Sequence, residues 1–573
     1  MNQPAHPPGD PGTGDSAAGS GQGDSAPGAT QGDSAGGSAS AQNGHASSAS
    51  AWAPLYQPIF RRLWGVSVVA NICLWMNDVA AAWMMTSLSG SPAMVALVQT
   101  ASTLPVFLLG LPSGALADIV DRRRYLMVTQ FWVAGSATLL GLAVVSGAIN
   151  PTLLLVLVFA NGLGLAMRWP VYSAIVPELV PRAQLPAAMA LNGVGMNASR
   201  IIGPIVAGLL IAGAGTQWVF VLNAALSLVS GLAIVGWRRE RKISALPGEQ
   251  FLGAIRVGAQ YVRQSARMRT VLLRVSLFFA QSAALVGLLP VIARQMPGGS
   301  AGTYTVMLAA MGAGAIMSAF LLPRWRAAHP HDELIRRGTL AHAAAILVAA
   351  FAPNVWVALP AMVVAGLAFL TVANTLAVSA QLSLPDWVRA RGMSVYQMAL
   401  MGGSALGAAF WGQVATFTSI RTSLVLAAIA GTTALWLTRR QRIEDAPIED
   451  LTPSRRLKAP VAQWTFDPSD GPVLTTIEYR VDPARADEFR AVMEETRRRR
   501  VSRGALSWEL FRDTTDPGRF IEYLVDESWT EHLRRFERLT ATDEALRDRR
   551  LSFHLGEEPP VIRRCIADSA AMR

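Results

Sequence analysis

The sequence predicts an all-α polytopic membrane protein, twelve transmembrane helices arranged as two six-helix repeats, with a small α+β domain on their carboxyl side. Composition is the first observation: 51% of the 573 residues are hydrophobic and only 16% are charged, with a mean hydropathy of +0.32. That balance is too apolar for a water-facing surface. Second, twelve apolar stretches lie between Leu63 and Leu437, each near the roughly 20 residues that cross about 30 Å of hydrocarbon. Third, an ungapped offset of 204 residues aligns the halves, matching Asn150 with Asn354, Gly162 with Gly366, Pro181 with Pro385, Met189 with Met393, Gly203 with Gly407 and Gly208 with Gly412. Parallel repeats of six spans characterise one large class of secondary transporter.

Residues 1–52 open the chain as a Gly, Ser, Ala, Asp and Pro tail that repeats Gly-Asp-Ser-Ala at 14–17, 23–26 and 32–35. Such a segment buries too little apolar surface to offset its chain entropy, so it is expected to be disordered. The first bundle, 53–237, carries spans at 63–87, 92–117, 124–147, 151–176, 188–212 and 217–237. A basic linker follows at 238–270. The second bundle, 271–438, carries spans at 271–293, 303–322, 337–353, 355–379, 392–416 and 420–438. Pro353 and Asn354 interrupt the ninth, which is the weakest.

Charge fixes the expected orientation. Arg122 to Arg124, Arg182, Arg238, Arg239, Arg241, Lys242, Arg324, Arg326, Arg336, Arg337, Arg389, Arg391 and Arg439 to Arg442 fall in alternate connections. Basic loops stay cytoplasmic, which places both termini on that side of a plasma (inner) membrane. The net charge of +11 is spread over these loops without a base-reading motif, so no nucleic-acid partner is expected. Cys73 and Cys565 lie at different expected depths and imply no disulfide. Phosphate loops, zinc spacings and nucleophile elbows are missing from the sequence, so neither ATP nor a cofactor nor a metal is expected.

A linker at 439–470 leads to a soluble domain over 471–556, with 557–573 as a tail. Val473, Thr475, Ile477, Tyr479 and Val481 alternate as a strand, and Phe489, Val492, Met493 and Thr496 recur at helical spacing. Leu506, Trp508 and Leu510 form a second strand, and a turn at 514–518 leads to a third at Ile521, Tyr523 and Val525. Ser528 and Glu531 cap a second helix, and Leu551 to Leu555 are expected to form the last strand. That β-α-β-β-α-β order is ferredoxin-like.

Chemistry concentrates in three places. In Gly114-Ala-Leu-Ala-Asp118-Ile-Val-Asp121-Arg122-Arg123-Arg124, Gly114 permits close helix contact and Asp118 sets a carboxylate beside arginines, an ion-pair latch at a cytoplasmic turn. On the fifth span Gly195, Ser199, Gly203 and Ala207 recur every four residues, with Pro204 and Gly208 alongside, a pattern for close packing and a fixed bend. Inside the spans, Asp78, Arg168 and Arg200 each cost at least roughly 2.5–3.5 kcal/mol unless paired or hydrated. Asp78 is expected to titrate in a central cavity or to pair with Arg200, and Arg168 to attract an anionic part of a cargo. Asn71, Asn192 and Asn197 are candidate polar linings, with interhelical hydrogen bonding as their other role.

The 114–124 cluster resembles the loop signature of the major facilitator superfamily, with Asp121 in place of its second glycine. Ser199 to Gly208 is similar to that family's antiporter signature, with Ser199 and Ala207 replacing two glycines. Phe60-Arg-Arg-Leu-Trp64, Asn71 to Trp83, Ser89-Gly-Ser-Pro92, Val176 to Pro181, Ala190-Leu-Asn192, Asn197 to Ile201 and Gly203-Pro204 resemble its enterobactin-exporter-like branch. The resemblance implies proton-driven efflux of small amphiphilic molecules such as siderophores, antibiotics or other secondary metabolites. Val473 to Val481 and Gly504 to Arg512 are similar to antibiotic-biosynthesis monooxygenase-like modules, which implies pairing into a homodimer; Trp508, His532 and His554 are the side chains suited to catalysis, but their spacing supports no acid, base and orienter arrangement, so a regulatory, cargo-sensing or dimerising element rather than an enzyme is expected. A membrane-anchored oxygenase or sensor is the rival reading.

Overall fold

Asn150 and Asn354, the first pair related by the offset, begin matching helices. Each caps its helix with its side-chain oxygen, accepting from the amide of Leu153 at 2.9 Å and of Val357 at 3.1 Å. The computed structural model describes residues 52–181, 184–236, 251–441, 443, 450, 452, 454, 456 and 459–567. The first half comprises α1 (Pro58–Leu88), α2 (Pro92–Ile119), α3 (Arg122–Val145), α4 (Pro151–Leu179), α5 (Leu185–Gly213) and α6 (Thr216–Val235). After α7 (Phe251–Gln264), the second half comprises α8 (Ala266–Gln295), α9 (Ala301–Ala328), α10 (His331–Phe351), α11 (Val355–Leu382), α12 (Asp386–Phe417) and α13 (Ile420–Leu437).

Among the described residues, eleven of these helices are long and apolar enough to cross a membrane. The expected twelfth, α12, has 32 residues but is diluted by Gly402, Gly403, Ser404, Gly407, Gly412 and Gln413, and it packs along α2 and α8. The ninth expected span is not short: α10 starts at His331 and runs 21 residues. The expected linker at 238–270 is corrected in its second part, where α7 occupies Phe251–Gln264 and α8 begins at Ala266. Buried Val257, Tyr261 and Val262 explain α7: they give a polar segment one apolar face.

The repeat is written in close approaches between helices. A methyl group on Gly203 of α5 would lie 2.5 Å from Trp75 Cβ and 3.0 Å from the Ile72 carbonyl of α1. Its counterpart Gly407 of α12 faces the Ala280 carbonyl of α8 at 2.4 Å. One turn on, Gly208 meets Thr305 of α9 and Gly412 meets Ala96 of α2 at 2.5 Å, so each helix touches its own half and then the other. Within the halves, Gly162 of α4 packs on Ser102 and Pro105 of α2, as Gly366 of α11 packs on Met311 of α9. A Cβ on Gly366 would stand 1.8 Å from the Met311 carbonyl. Backbone cannot yield there, so Gly366→Val is expected to cost about 3 kcal/mol and remove the monodisperse peak from size-exclusion chromatography in detergent.

Among the described residues the large apolar core shared by the halves lies at one end, with further contact between them where Gly110 meets Met398 and Gly402 meets Phe107. A single core joins Met85, Val95, Leu140, Leu154, Phe220, Leu288, Met296, Tyr304 and Trp411, all from the helix ends remote from the arginine-rich loops. At that end Arg294 of α8 donates to the Thr86 carbonyl of α1, Trp83 stacks on Tyr304 at 5.9 Å, and the Ala93 amide donates to Thr416 Oγ1 at 3.0 Å. At the basic end the cores separate. Leu63, Tyr125, Val171 and Ile175 cluster in the first half, with Phe60, Val176 and Leu191 beside them. Val271, Val275, Phe278, Leu376 and Tyr396 cluster in the second.

The carboxyl-terminal part comprises β1 (Val473–Arg480), α14 (Ala486–Ser502), β2 (Ser507–Arg512), β3 (Arg519–Asp526), α15 (Trp529–Glu537), α16 (Ala541–Leu551) and β4 (Val561–Ile566). Its sheet has the order β2-β3-β1-β4, every neighbouring pair antiparallel. Alternation along β1 and β3 buries Tyr479, Phe520 and Leu524 against Phe489 and Met493 of α14. Two expectations are corrected. Leu551 to Leu555 form no strand, because the Thr540–Asp543 capping box starts α16, which runs through Leu551. The last strand is β4, inside the expected tail, paired with β1 from Ile566 opposite Val473 to Val561 opposite Glu478.

This domain is docked on the bundle. Arg256 of α7 pairs with Glu527 at 2.5 Å, Gly504, at φ +111°, lies against Val257, and the Arg538 guanidinium sits 5.2 Å over the Trp387 ring of α12.

Candidate functional site

Arg200 sits near the middle of α5, partly buried, and aromatic rings face its charge. Its guanidinium lies 5.2 Å from the centre of Trp75 on α1 and 4.9 Å from that of Phe369 on α11. One ring belongs to each half, so a cation bridges them at mid-depth. A partly buried contact of this kind is worth about 0.5–2 kcal/mol. One turn along α1 from Trp75, Asp78 Oδ2 accepts from Ser102 Oγ of α2 at 3.4 Å. Tyr304 of α9 lies within electrostatic reach of that carboxylate. Among the described residues no ion pair joins Asp78 to Arg200.

Arg168 stands apart from that centre. It is 6% exposed and donates to Asn71 Oδ1 at 2.9 Å and Gln130 Oε1 at 3.5 Å. Gln130 continues to the Ser227 carbonyl at 3.3 Å, Ser227 reaches Asn223 at 3.4 Å, and Asn223 donates to Asn77 at 3.2 Å. This chain of amides stitches α1, α3, α4 and α6 together, which satisfies a buried cation by hydrogen bonds alone. Gln130, Asn223 and Asn77 complete the network; on the sequence they are ordinary polar residues in separate spans, and only their shared depth relates them.

The remaining sequence candidates divide clearly. Asn192 accepts from the Tyr172 hydroxyl at 3.2 Å, whereas Asn197 is exposed and donates to the Gly193 carbonyl of its own helix at 3.0 Å. The stripe of Gly195, Ser199, Gly203 and Ala207 lies on α1: Gly195 meets Val68 and Trp64, Ser199 Oγ donates to the Val68 carbonyl at 3.1 Å, and Ala207 is fully buried. Pro204 follows within the helix, and Gly208 turns toward α9. In the turn cluster, Asp121 caps α3 by accepting from the Arg124 amide at 3.0 Å, and Arg123 donates to the Val235 carbonyl at 2.8 Å. Arg122 opens α3. The Asp118 side chain and the surroundings of Gly114, in the last turns of α2, lie outside the described residues.

Comparison with known proteins decides the family. The model of the transmembrane secretion effector family, an MFS family, matches residues 49–572. The chain belongs to that family of major facilitator transporters. It is 26% identical over 286 residues to the uncharacterized MFS-type transporter YfiS of Bacillus subtilis, covering 47% of this chain and 66% of that relative. It is 22% identical over 255 residues to the staphyloferrin A transporter of Staphylococcus aureus, covering 44% and 63%. Macrolide efflux protein A of Streptococcus pyogenes is 24% identical over 30% of this chain and 40% of its own length. The chain thus spans just under two thirds of the first two relatives. Among solved structures, the nucleoside transporter NupG superposes with a TM-score of 0.55 at 12% identity, over 67% of this chain and 98% of that one. A bacterial homologue of the human lysosomal transporter Spinster gives 0.54 at 16% identity, over 68% and 98%. These two show the fold alone.

Proposed function

We propose that this transporter exports small amphiphilic molecules, such as siderophores, antibiotics or other secondary metabolites, by proton-coupled alternating access across the plasma (inner) membrane, with both termini cytoplasmic. The observation that carries the reading is Arg200, held between Trp75 of one half and Phe369 of the other, with the Asp78 carboxylate one turn away. A cation resting on aromatic faces binds a negatively charged or π-rich cargo by exchanging one weak contact for a stronger one. Its release lets the two halves separate at mid-depth. Asp78 supplies the proton site: its charged form repels an anionic cargo and its neutral form admits one.

Arg168 and Asn71 brace the first half beneath this centre, while Gly195 to Gly208 let α5 slide on α1 and α9 without side-chain obstruction. Gly114, Asp118, Arg122 and Arg123 form the latch at the basic end, where the cores of the halves part. The secretion-effector family and the staphyloferrin and macrolide relatives favour export of such compounds. The carboxyl-terminal domain is read as a ferredoxin-like sensing or dimerising element. Phe511 and Val561, 53% and 52% exposed, support pairing with a second copy through the sheet.

The test is metabolite profiling of a deletion strain, inside and outside the cell, followed by counterflow of the retained compound in proteoliposomes. Export requires intracellular accumulation on deletion and saturable counterflow on reconstitution. An unchanged profile removes its support.

A further inference from the structure

A second polar centre lies in the carboxyl-terminal domain, where transport gives it no role. β3 ends on Asp526, and Ser528 caps α15, so His532 and Arg535, one turn apart, face the strand end. His532 Nδ1 lies 2.6 Å from Asp526 Oδ2, and Arg535 donates to both oxygens of that carboxylate at 3.0 to 3.1 Å. Trp529 stacks on the imidazole at 5.2 Å and Phe536 meets it edge-on at 5.4 Å, so the ring is fixed. Nδ1–H donates to the carboxylate, which leaves Nε2 of the neutral ring an acceptor.

Among the described residues Nε2 has no protein partner. Neither has Arg535 Nη1 nor Thr475 Oγ1, and their residues are 0%, 2% and 3% exposed. Thr475 shares a face of β1 with Val473, which pairs with Asp526, and stands opposite Arg564 of β4. An unmet buried polar group destabilises the fold unless a partner is supplied. Charge points the same way: Glu522 and Asp526 are buried with Arg500, Arg535 and Arg550, while Arg564 on β4, exposed at the rim, lies within electrostatic reach of His532 and Arg500. Cations outnumber anions around these atoms.

We propose that this recess, lined by Thr475, His532, Arg535 and Arg564, binds a small organic hydroxy acid. The carboxylate accepts from Arg535 Nη1 and Thr475 Oγ1 with Arg564 at the mouth, and the hydroxyl donates to His532 Nε2. The location gives the occupant leverage. Glu527, next to Asp526, holds Arg256 of α7, and Arg538, just past α15, covers Trp387 of α12. The proposal supplies a ligand class for the sensing role read above, and binding itself does not depend on export.

Calorimetry on the full chain in detergent tests it, with salicylate as probe, benzoate as the hydroxyl-free control and inorganic phosphate as the inorganic anion. One saturable salicylate site is expected, at least 10-fold tighter than benzoate or phosphate. Arg564→Ala and Thr475→Val are each expected to weaken it at least 10-fold while keeping the thermal transition of the parent. Asp78→Asn is expected to leave it unchanged, which separates this site from the transport site. No saturable heat, equal binding of phosphate or benzoate, or undiminished binding in both recess variants overturns the assignment, as does loss of binding in Asp78→Asn alone.

Discussion

Asp78→Asn is expected to abolish cargo accumulation driven by a proton gradient, a fall of at least 100-fold, while gradient-free counterflow stays within about threefold of the parent. The asymmetry follows from shape. Asparagine fills the same volume and still accepts from Ser102, whose hydroxyl lies 3.4 Å from the carboxylate, but it takes up no proton at any working pH. Carriers of this class need one group that changes charge within the membrane, and a 100-fold effect corresponds to about 2.8 kcal/mol of coupling. A purely structural Asp78–Arg200 pair predicts instead that the variant misfolds, since breaking a buried pair costs about 3–5 kcal/mol. Here Arg200 rests on Trp75 and Phe369, so the variant is expected to fold. Paired flux measurements in proteoliposomes, with and without an imposed pH difference, read the effect. A variant that still concentrates cargo removes the titrating role.

The other large effect belongs to Glu522. Its side chain is fully buried and accepts from Trp508 Nε1 at 2.9 Å, Tyr479 Oη at 3.0 Å and Arg500 Nε at 3.1 Å, with Arg550 at 4.0 Å. Glu522→Ala strands two guanidiniums and two neutral donors in the core, which is expected to cost about 3–5 kcal/mol and unfold the domain. Limited proteolysis is expected to cut after α13 while leaving the membrane bundle intact. Glu522→Gln, which keeps the acceptor for Trp508, is expected to lose less.

Burial alone raises the Glu522 pKa, but Arg500 and Arg550, with the hydrogen bonds from Trp508 and Tyr479, outweigh it and hold the carboxyl at about 2 against an ordinary 4.5. A carboxylate depressed in the folded state contributes stability that is complete above its unfolded value and vanishes as pH falls through its folded value. Domain stability is therefore expected to decline between about pH 4.5 and about pH 2, and Glu522→Gln is expected to flatten that decline. Hydrogen exchange of β1 and β3 across this window measures it. Equal declines in parent and variant contradict the account.

Much of the bundle was legible because a bilayer demands long apolar runs, and because duplicated contacts demand duplicated glycines. The pairs Gly203 with Gly407 and Gly208 with Gly412 were visible as an offset, and the structure gives them one physical use. α12 escapes the apolarity criterion for the same reason: small residues that permit close approach also dilute hydropathy. α7 was missed since its apolar face is narrow and set among arginines. The last strand was misplaced because the Thr540 capping box lies outside the segment where a second helix was sought, and Val561 to Ile566 carries two arginines in its middle.

At the sites, spacing identified Asp78 and Arg200 as costly residues, but the aromatic partners come from α1 and α11, far apart in sequence. In the terminal domain the signal was nearer. Once Ser528 is a helix cap, His532 and Arg535 share a face, and Asp526 ends the preceding strand. That geometry was available from the sequence, though the unmet atoms were not.

Thiol accessibility at the centre tests the alternating-access claim most directly. Cysteines are placed one at a time by Arg200→Cys and Phe369→Cys in a chain carrying Cys73→Ser and Cys565→Ser, and membrane-impermeant reagents are applied to right-side-out and inverted vesicles. Both positions are expected to react from either side, with the ratio of the two rates reversing when the proton gradient is reversed. Reaction from neither side, or from one side only whatever the gradient, contradicts a centre that alternates between two aqueous faces.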